Sequence, residues 1–425
     1  MSDRFDVIVV GAGPGGSNAA AVALKHGLSV AQVDKSRFPR VKPCGGGLTI
    51  KSCRALQFDL QPMLRGEFRE FQFNVLHRCS NQFAHVRSAV LRMVDRPQFD
   101  NWLVSENLKA PRFRFFEAER VLDISYDGLF HVRTPNRLLQ GRHLVGADGA
   151  YSLVNRLFSI TQPLGFAVAV EVTLRRDRAK LPAETPPCFD FGAVESGYGW
   201  VFPKDDHWNV GLYTLNKSRS LREQLAAYIG VKGFRVDGDP LATFAGHRFP
   251  YGGYRITLPE APVYIVGDAG GFGDPIVGEG IYHALESGRI AGETTHDCLA
   301  GTARHQEYYR RLEASVLADT RVTHRIGRAV YGDVGKAMTI LENPMVWRPV
   351  VQGNADGATF TEIIRKSGWF LLKSLALRSV RSRREGASLP GSLGGPLRGL
   401  KFVGQPIVRN AQRSLRLLRA TARPR

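Results

Sequence analysis

The chain has 425 residues, of which 43% are apolar and 10% aromatic, and it carries a net charge of +19. This composition supports large cores and excludes a wholly disordered chain. No run of 18 apolar residues occurs, which argues against a transmembrane helix, and no secretory signal is recognisable, so we expect a cytoplasmic protein. Five scattered cysteines predict neither a disulfide framework nor a zinc site, and the histidines form no metal-binding motif, so no metal is expected.

The predicted elements divide the chain into regions of different character. The first 35 residues predict a βαβ unit, and strands and helices continue to alternate after it. Strands are predicted at 5–10, 29–33, 113–124, 129–134 and 138–146 and within 68–95, with helices at 17–26 and 97–108. Residues 165–262 instead alternate aromatic and β-branched residues, which predicts an antiparallel sheet. Its strands are expected at 166–174, 188–194, 198–203 and 208–215.

The remaining third begins with a buried strand at 261–266. A helix is predicted through about Gly292, and residues 303–330 are also helical in pattern. The pattern weakens after Asn343, and residues 385–406 have the Gly, Pro and Ser content of a linker.

A glycine cluster joins the first predicted strand to the first helix. It reads Gly11-Ala-Gly13-Pro-Gly15-Gly16, and Asp34 ends the next strand. Side chains at Gly11 and Gly13 would obstruct a pyrophosphate at the helix N-terminus, while Gly16 permits close packing of helix on strand. Asp34 is suited to accept hydrogen bonds from an adenosine ribose. The order of strand, glycines, helix and acid predicts a dinucleotide site.

Two later segments bear on which dinucleotide binds. One strand ends in an Asp148-Gly149 turn, and another is followed by Asp268 and by a helix start with Pro275 near its first turn. Asp268 could accept a hydrogen bond from a ribityl hydroxyl. Backbone N–H groups near Gly278–Ile281 would stabilise the negative charge on a reduced flavin. Either segment alone could be an ordinary turn.

In this order the motifs resemble those of FAD-dependent oxidoreductases with the para-hydroxybenzoate hydroxylase fold, over residues 1–292. An RxxFD segment beginning at Arg96 belongs to the same pattern. Two further motifs are similar to those of the geranylgeranyl reductase family: the loop KPCGGGL at 42–48, and YGWVFPK at 198–204, which matches (Y/F)xWxFPK. The loop reads CGGG rather than the CGEG or CGDG of many members, so any role of that acid is absent here.

The resemblance implies a cofactor, a reaction and a set of site residues. It implies FAD and the saturation of isoprenoid double bonds in a prenylated lipid, quinone or pigment, with NADPH or reduced ferredoxin as electron donor. The implied FAD contacts are Gly11, Gly13, Gly15, Gly16, Asp34, Cys44, Gly45, Arg96, Val121, Asp268, Gly280 and Ile281. Tyr198, Trp200 and Phe202 would bind the prenyl chain. Their alternation places them on one strand face, although ordinary core packing would give the same pattern.

The source of the proton for such a reduction stays open. Hydride from flavin N5 would reach one alkene carbon while the other receives a proton from Cys44, Tyr198 or water. Cys44 is the candidate catalytic residue, because Lys42 lies two residues away and a nearby cation could activate its thiol. An exposed glycine loop could equally hold an inert cysteine. The alternative functions are a flavin-dependent monooxygenase or halogenase on the same fold, and a non-catalytic flavoprotein that docks on membranes.

The expected fold class is α/β, with a Rossmann-type FAD-binding domain that is discontinuous in sequence. Its three parts are predicted at 1–70, 96–162 and 263–330. An inserted antiparallel substrate domain would comprise strands within 71–95 and the sheet at 163–262. A helical region and basic tail would follow at 331–425.

Most of the positive charge lies at the C-terminal end. Residues 365–425 contain 15 Lys/Arg and one acid, net +14, which leaves +5 for residues 1–364. Apolar residues are mixed with cations in 366–384, and a basic helical stripe is formed farther on by Arg409, Arg413 and Arg416. Such helices bind anionic membranes, so we expect peripheral membrane association. A solvated basic tail is the alternative. No nucleic-acid-binding module is present, and no nucleic-acid partner is expected.

Overall fold

A computed structural model describes residues 4–75, 78–84, 87–179, 181–182, 184–216, 220–341 and 343–366. The helices are α1 (Pro14–Lys25), α2 (Ile50–Ala55), α3 (Arg96–Leu108), α4 (Leu153–Phe158), α5 (Leu221–Val231), α6 (Ile281–Leu299), α7 (Glu307–Leu312), α8 (Ala318–Gly332), α9 (Val334–Leu341) and α10 (Pro344–Ala355). A π-helical turn at Glu313–Leu317 joins α7 to α8, and residues 360–366 are helical at the end of the described chain.

The strands are β1 (Arg4–Val10), β2 (Val30–Val33), β3 (Gly47–Thr49), β4 (Gly66–Phe68), β5 (Glu70–Val75), β6 (Arg78–Ala84), β7 (Leu91–Met93), β8 (Phe113–Phe116), β9 (Asp123–Tyr126), β10 (Phe130–Arg133), β11 (Leu138–Gly146), β12 (Gly165–Arg175), β13 (Cys188–Phe191), β14 (Gly197–Pro203), β15 (His207–Thr214), β16 (Thr243–Tyr251) and β17 (Val263–Ile265). Within the described residues they form two seven-stranded sheets and a small sheet of order β3-β7-β4.

The first large sheet has the order β8-β2-β1-β11-β10-β9, with β17 also pairing with β11. Its central pairs are parallel, and β1, β2 and β17 are buried along almost their whole length. Parallel strands covered on both faces read as continuous apolar runs, which explains the sequence of this region. The carboxyl ends of β1, β2, β11 and β17 lie at one edge, where an α/β sheet binds its ligand.

The second large sheet has the order β16-β12-β15-β14-β13-β5-β6 and is antiparallel except for the β13–β5 pair. Because successive side chains point to opposite faces, each strand supplies two different surfaces. One face holds aliphatic side chains such as Val172, Val210 and Leu212, which pack with Leu225 and Ile229 of α5. The opposite face is aromatic and is directed toward the ligand edge of the first sheet.

Several predicted elements differ from the structure. The strand expected at 113–124 is two strands in different places, because β8 pairs with β2 whereas β9 pairs with β10. Between them the chain leaves the sheet, with Ala118 at φ +56°. The helix expected near Pro275 begins at Ile281. The pattern expected to weaken after Asn343 contains α10, and α5 and β16 were not predicted.

The tail beyond residue 366 lies outside the described residues, including both basic segments and the predicted linker at 385–406. The prediction of membrane association through this tail therefore stays a prediction. In the part of the chain that the structure does describe, no helix is both long enough and apolar enough to cross a bilayer.

Candidate active site

A cavity of about 860 Å³ lies between the ligand edge of the first sheet and the aromatic face of the second. Every candidate site residue proposed from the sequence lines this cavity, with the exception of Gly16. The cavity also contacts side chains that the sequence did not single out, among them Glu171, Tyr213, His247 and Glu279.

The glycine turn after β1 forms one end of the cavity. Gly11 has φ +105°, and a Cβ there would lie 2.2 Å from the carbonyl oxygen of Ala147. A Cβ on Gly16 would lie 2.2 Å from the carbonyl oxygen of Gly11, so this glycine serves the packing of α1 against β1. Gly13, in contrast, has only an Arg40 nitrogen within contact distance, at 3.5 Å. Gly13 is therefore the position that opens onto a ligand.

Asp34 lies beside this turn at the end of β2. Its Oδ2 accepts a hydrogen bond from the backbone N–H of Ala12 at 2.8 Å, and its Oδ1 accepts one from Ser36 at 2.8 Å. These bonds fix the carboxylate in the cavity wall. Val121, in the irregular segment between β8 and β9, lies on the same wall.

A buried ion pair lies behind the cysteine loop. Arg96, at the start of α3, makes a bidentate salt bridge to Asp100 with both distances 2.9 Å, and Arg40 reaches the same carboxylate at 3.2 Å. Burial alone would lower the pKa of Arg96, but the charge and hydrogen bonds of Asp100 act together with those of Cys44 and raise it. Arg96 also interacts with the side chain of Cys44. The cysteine thus lies beside a permanent positive charge.

The cysteine loop itself leaves no room for larger side chains. Gly46 has φ +74°, and a Cβ there would lie 2.0 Å from the carbonyl oxygen of Val94. Gly46 occupies the position of the acid in the CGEG form of the loop, and in this chain a side chain there would require the loop or Val94 to shift. A Cβ on Gly45 would lie 2.8 Å from the ring of Phe202. The loop therefore packs directly on the aromatic strand β14.

Asp268 belongs to a cluster of titratable groups at the end of β17. Its Oδ2 lies 3.5 Å from Nε2 of His247 and 3.7 Å from Nζ of Lys42, and these two nitrogens are 2.5 Å apart. Burial would raise the pKa of Asp268, but the hydrogen bond from His247 and the charge of Lys42 lower it to about 2. The carboxylate is therefore charged across the physiological pH range.

Three tyrosine hydroxyls hold the loop before α6. Tyr213 donates to the carbonyl of Pro275 at 3.2 Å, Tyr198 donates to Val277 at 2.5 Å, and Tyr331 donates to the carbonyl between them. These bonds fix the loop that leads to the α6 N-terminus, where Gly278–Ile281 line the cavity. Partially positive N–H groups at a helix N-terminus stabilise negative charge.

A buried charge cluster braces the same loop from behind. Lys51 lies 2.8 Å from Glu279 and 3.4 Å from Asp319, and Thr49 donates to Glu279 at 2.6 Å. Asp319 also accepts a hydrogen bond from the backbone of Thr361, in the last described helix. The C-terminal helices are thereby connected to the cavity.

The aromatic face of the second sheet closes the other end of the cavity. Tyr198, Trp200 and Phe202 of β14 are all buried, with ring centroids 6.1 Å and 6.3 Å apart along the strand. Phe189 of β13 packs against Phe202 at 5.1 Å. The one-face arrangement expected from the sequence is confirmed, whereas the role of these residues in substrate binding stays a prediction. We call these four residues the aromatic wall.

The sequence profile described as "FAD binding domain" matches residues 4–306. An uncharacterized protein of Methanosarcina barkeri is 32% identical over 371 residues, 85% of this chain and 93% of its own. Menaquinone reductase of Mycolicibacterium smegmatis is 30% identical, covering 69% of this chain and 76% of its own. Geranylgeranyl diphosphate reductase of Rhodobacter capsulatus is 28% identical, covering 68% and 74%.

The chain belongs to the geranylgeranyl reductase family of FAD-dependent oxidoreductases. It is an FAD-dependent oxidoreductase, and FAD is its cofactor. The solved structures agree on the fold. A geranylgeranyl bacteriochlorophyll reductase-like protein of Thermoplasma acidophilum superposes with a TM-score of 0.69 at 19% identity, over 86% of this chain and 99% of its own. The flavin-dependent brominase Bmp2 gives 0.69 at 18% identity, over 89% and 100%.

The residues of the cavity fit FAD. The open face of Gly13 at the N-terminus of α1 suits a pyrophosphate, and the fixed carboxylate of Asp34 suits a ribose. Asp268 is a charged acceptor for ribityl hydroxyls, and the α6 N-terminus suits the flavin edge that becomes negative on reduction. When bound and reduced, FAD supplies hydride.

Glu171 is the cavity-lining residue that the sequence analysis missed most clearly. It is the only acid in strand β12, GFAVAVEVTLR, where it interrupts an apolar run, and that interruption was a usable signal. Asp274 was seen only as part of a motif. It is fully buried, its Oδ1 accepts a hydrogen bond from Ile276 at 2.7 Å, and burial raises its pKa to about 6.

Proposed function

We propose that this family member saturates carbon–carbon double bonds in a prenyl chain. The observation that supports the proposal best is the aromatic wall, which lines the same cavity as the FAD-binding residues. Aromatic surface binds a hydrocarbon without requiring hydrogen bonds from it. The wall residues are at most 7% exposed on β14, so they would also exclude water from the reacting carbons.

The names of two relatives support a prenylated substrate. One is a menaquinone reductase and the other a geranylgeranyl diphosphate reductase. Both substrates carry isoprenoid double bonds, although their head groups are a quinone and a diphosphate. We therefore assign the isoprenoid chain as the recognised element and include prenylated lipids, quinones and pigments in the substrate class.

The proposal is tested with purified, FAD-loaded protein reduced by dithionite without oxygen. Geranylgeranyl diphosphate, a menaquinone and a digeranylgeranyl phospholipid serve as separate probes, and the readouts are flavin reoxidation and product mass. We expect at least one probe to gain hydrogen in steps of two. A product that forms only with oxygen and carries oxygen or halogen would instead identify a monooxygenase or halogenase. Reoxidation by none of the probes would indicate a non-catalytic flavoprotein.

Cys44 is proposed to line the reaction site, because its loop packs on the aromatic wall while Arg96 contacts its side chain. A Cys44→Ser variant should retain FAD and slow reduction of the probe. A retained rate would show that the thiol is not a catalytic residue.

The electron donor is proposed to be external, either NADPH or reduced ferredoxin. Anaerobic mixing of the oxidised protein with each donor separates the two, since only the competent one will bleach the flavin absorbance.

We also propose that the basic tail binds anionic membranes. Ile363 is 4% exposed and Thr361 is bonded to Asp319, so a truncation that spares the fold should begin at residue 367. This removes 13 Lys/Arg and one acid. At about 1 kcal/mol per cation near the surface, partition onto anionic liposomes should fall at least tenfold while FAD stays bound. Unchanged partition would refute the assignment.

A further inference from the structure

We propose that the carboxyl group of Glu171 donates the proton that completes reduction of the prenyl double bond. This inference rests on the proposed function. It replaces the three proton sources left open by the sequence with a residue on the second sheet.

The position of Glu171 follows from the strand register. Glu171 of β12 is paired with Gly211 of β15, and Gly211 is paired with Trp200 of β14. All three therefore lie in one row on the aromatic face. A Cβ on Gly211 would lie 2.2 Å from the Trp200 ring, so the indole occupies the space above the glycine and extends toward β12. The carboxyl group thus lies next to the aromatic wall.

The contacts of Glu171 place it at the cysteine loop as well. Its Oε1 accepts a hydrogen bond from the backbone N–H of Cys44 at 3.0 Å, and the Asn209 side chain also bonds to it. Asn209 in turn accepts a hydrogen bond from Trp200 Nε1 at 2.6 Å. Glu171 lines the cavity between the loop implied to contact the flavin and the wall proposed to hold the alkene.

Burial favours the protonated form of Glu171, against several neighbours that favour the charged form. Glu171 is 9% exposed, and its burial raises its pKa. The opposing influences are the N–H of Cys44, the charges of Lys204 and Arg96, and the Asn209 side chain. On the remaining neighbouring strand, β16, the residue opposite Glu171 is the uncharged Ala245. Glu171 is also the only acidic side chain on this face among the described strand residues.

The two side chains that the sequence left open as proton donors are engaged elsewhere. The hydroxyl of Tyr198 already donates to the carbonyl of Val277 at 2.5 Å, and burial raises its pKa above the ordinary value. Tyr198 is therefore a positioning residue for the loop before α6. The side chain of Cys44 interacts with Arg96, and its backbone N–H is the group that holds Oε1 of Glu171.

The proposed step balances in atoms and electrons. Hydride from reduced FAD forms a C–H bond at one alkene carbon, which oxidises the flavin by two electrons. The O–H bond of Glu171 breaks, and its proton forms the second C–H bond at the other carbon. The π bond is consumed, and the carboxylate that remains is reprotonated from water when the product leaves.

The test compares Glu171→Gln with Glu195→Gln, a substitution at an exposed position in the turn between β13 and β14. Glutamine keeps an oxygen that can accept the Cys44 N–H bond but carries no transferable acidic proton. With the probe that the wild type reduces, we expect E171Q to slow anaerobic flavin reoxidation about 100-fold or more. FAD content and dithionite reduction should be unchanged, E195Q should match the wild type, and Glu171→Asp should recover part of the rate.

A second readout does not depend on turnover. The infrared difference spectrum between the wild type and E171Q should contain the C=O band of a protonated carboxylic acid, shifted in D₂O. If E171Q reoxidises as fast as the wild type, or if only a carboxylate band is lost, the inference is wrong while the proposed function stands. If the wild type reduces no probe, the proposed function fails and this inference fails with it.

Discussion

The two walls of the cavity are lined by different kinds of chemical groups. The wall formed by the first sheet uses backbone turns, helix N-termini and fixed charges such as Asp34, Arg96 and Asp268. The opposite wall, on the second sheet, is aromatic and contains Glu171 as its one acid among the described strand residues. A charged, hydrated cofactor needs donors and acceptors at fixed positions, whereas a hydrocarbon needs only dry surface. The difference teaches that turns and helix ends supply fixed donors and acceptors, whereas a sheet face supplies continuous aromatic surface, which suits the hydrocarbon substrate that we propose.

The largest loss of stability is expected at Gly11, where the first wall has no space for a side chain. Gly11→Ala would place a methyl group 2.2 Å from the Ala147 carbonyl oxygen at φ +105°. We expect the free energy of unfolding to fall by about 4 kcal/mol or more, with loss of FAD. Urea denaturation and flavin absorbance of the purified protein measure both.

Gly27→Ala is the matched control for that substitution. Gly27 also has a positive φ, +74°, but no atom lies within 4 Å of the added Cβ. Its cost should be only the backbone strain, about 1 to 2 kcal/mol, with FAD retained. Equal costs for the two variants would show that close approach to Ala147 is not what requires glycine at position 11.

The next largest effect is a dependence of stability on pH, caused by the buried carboxyl group of Asp274 in the loop before α6. The pKa of Asp274 is raised to about 6, compared with about 3.9 for an unfolded aspartate. Its folded form therefore holds the proton more tightly, and the associated stability is complete below pH 4 and is lost as the pH rises through 6. A pKa difference of about 2 between the folded and unfolded states corresponds to about 3 kcal/mol of unfolding free energy.

Asp274→Asn can keep the hydrogen bond from Ile276 and removes the titration. The decline in unfolding free energy between pH 4 and pH 7 should be smaller in this variant by about 3 kcal/mol. Asp123→Asn, at an exposed ion pair with Arg133, should leave the decline unchanged. Identical pH profiles for D274N and the wild type would contradict the raised pKa.

The smallest loss of stability is expected at Gly45, where the cysteine loop packs against the aromatic wall. The atoms nearest to a Cβ on Gly45 belong to side chains, with the Phe202 ring at 2.8 Å and Trp200 Nε1 at 3.3 Å. Gly45→Ala should destabilise the protein by about 1 to 3 kcal/mol, and Phe202→Leu should relieve part of that cost. The double-mutant cycle should give a favourable coupling of about 1 kcal/mol. Additive effects would show that the loop and the wall are independent.

The first wall was largely predictable because many of its ligand-binding residues lie close together in the sequence. The glycine turn, the helix after it and Asp34 lie within 35 residues, and each has a backbone reason to be where it is. Cys44, Gly45 and Asp268 were found through motifs, and all line the cavity. The strand division at 113–124 was missed because both halves contain aromatic or β-branched residues, and only pairing with β2 or β10 distinguishes them.

For the second wall, the sequence predicted only the alternation of side chains along its strands. Alternation placed Tyr198, Trp200 and Phe202 on one face of the strand. It could not show that this face packs against the cysteine loop. Glu171 was missed because no nearby residue indicates its contact with Cys44, which is 127 positions away in sequence. The tyrosine bonds to the loop before α6 likewise join distant segments.

The sequence by itself determined the dinucleotide-binding turn, the period of the strands and the family, since these depend on φ angles, side-chain alternation and motif order over short distances. Only the tertiary structure decided that the aromatic face meets the cysteine loop and that a buried carboxyl group lies between them. The physical reason is that burial and the distances between charges depend on how the two sheets pack, and no short stretch of sequence specifies that packing.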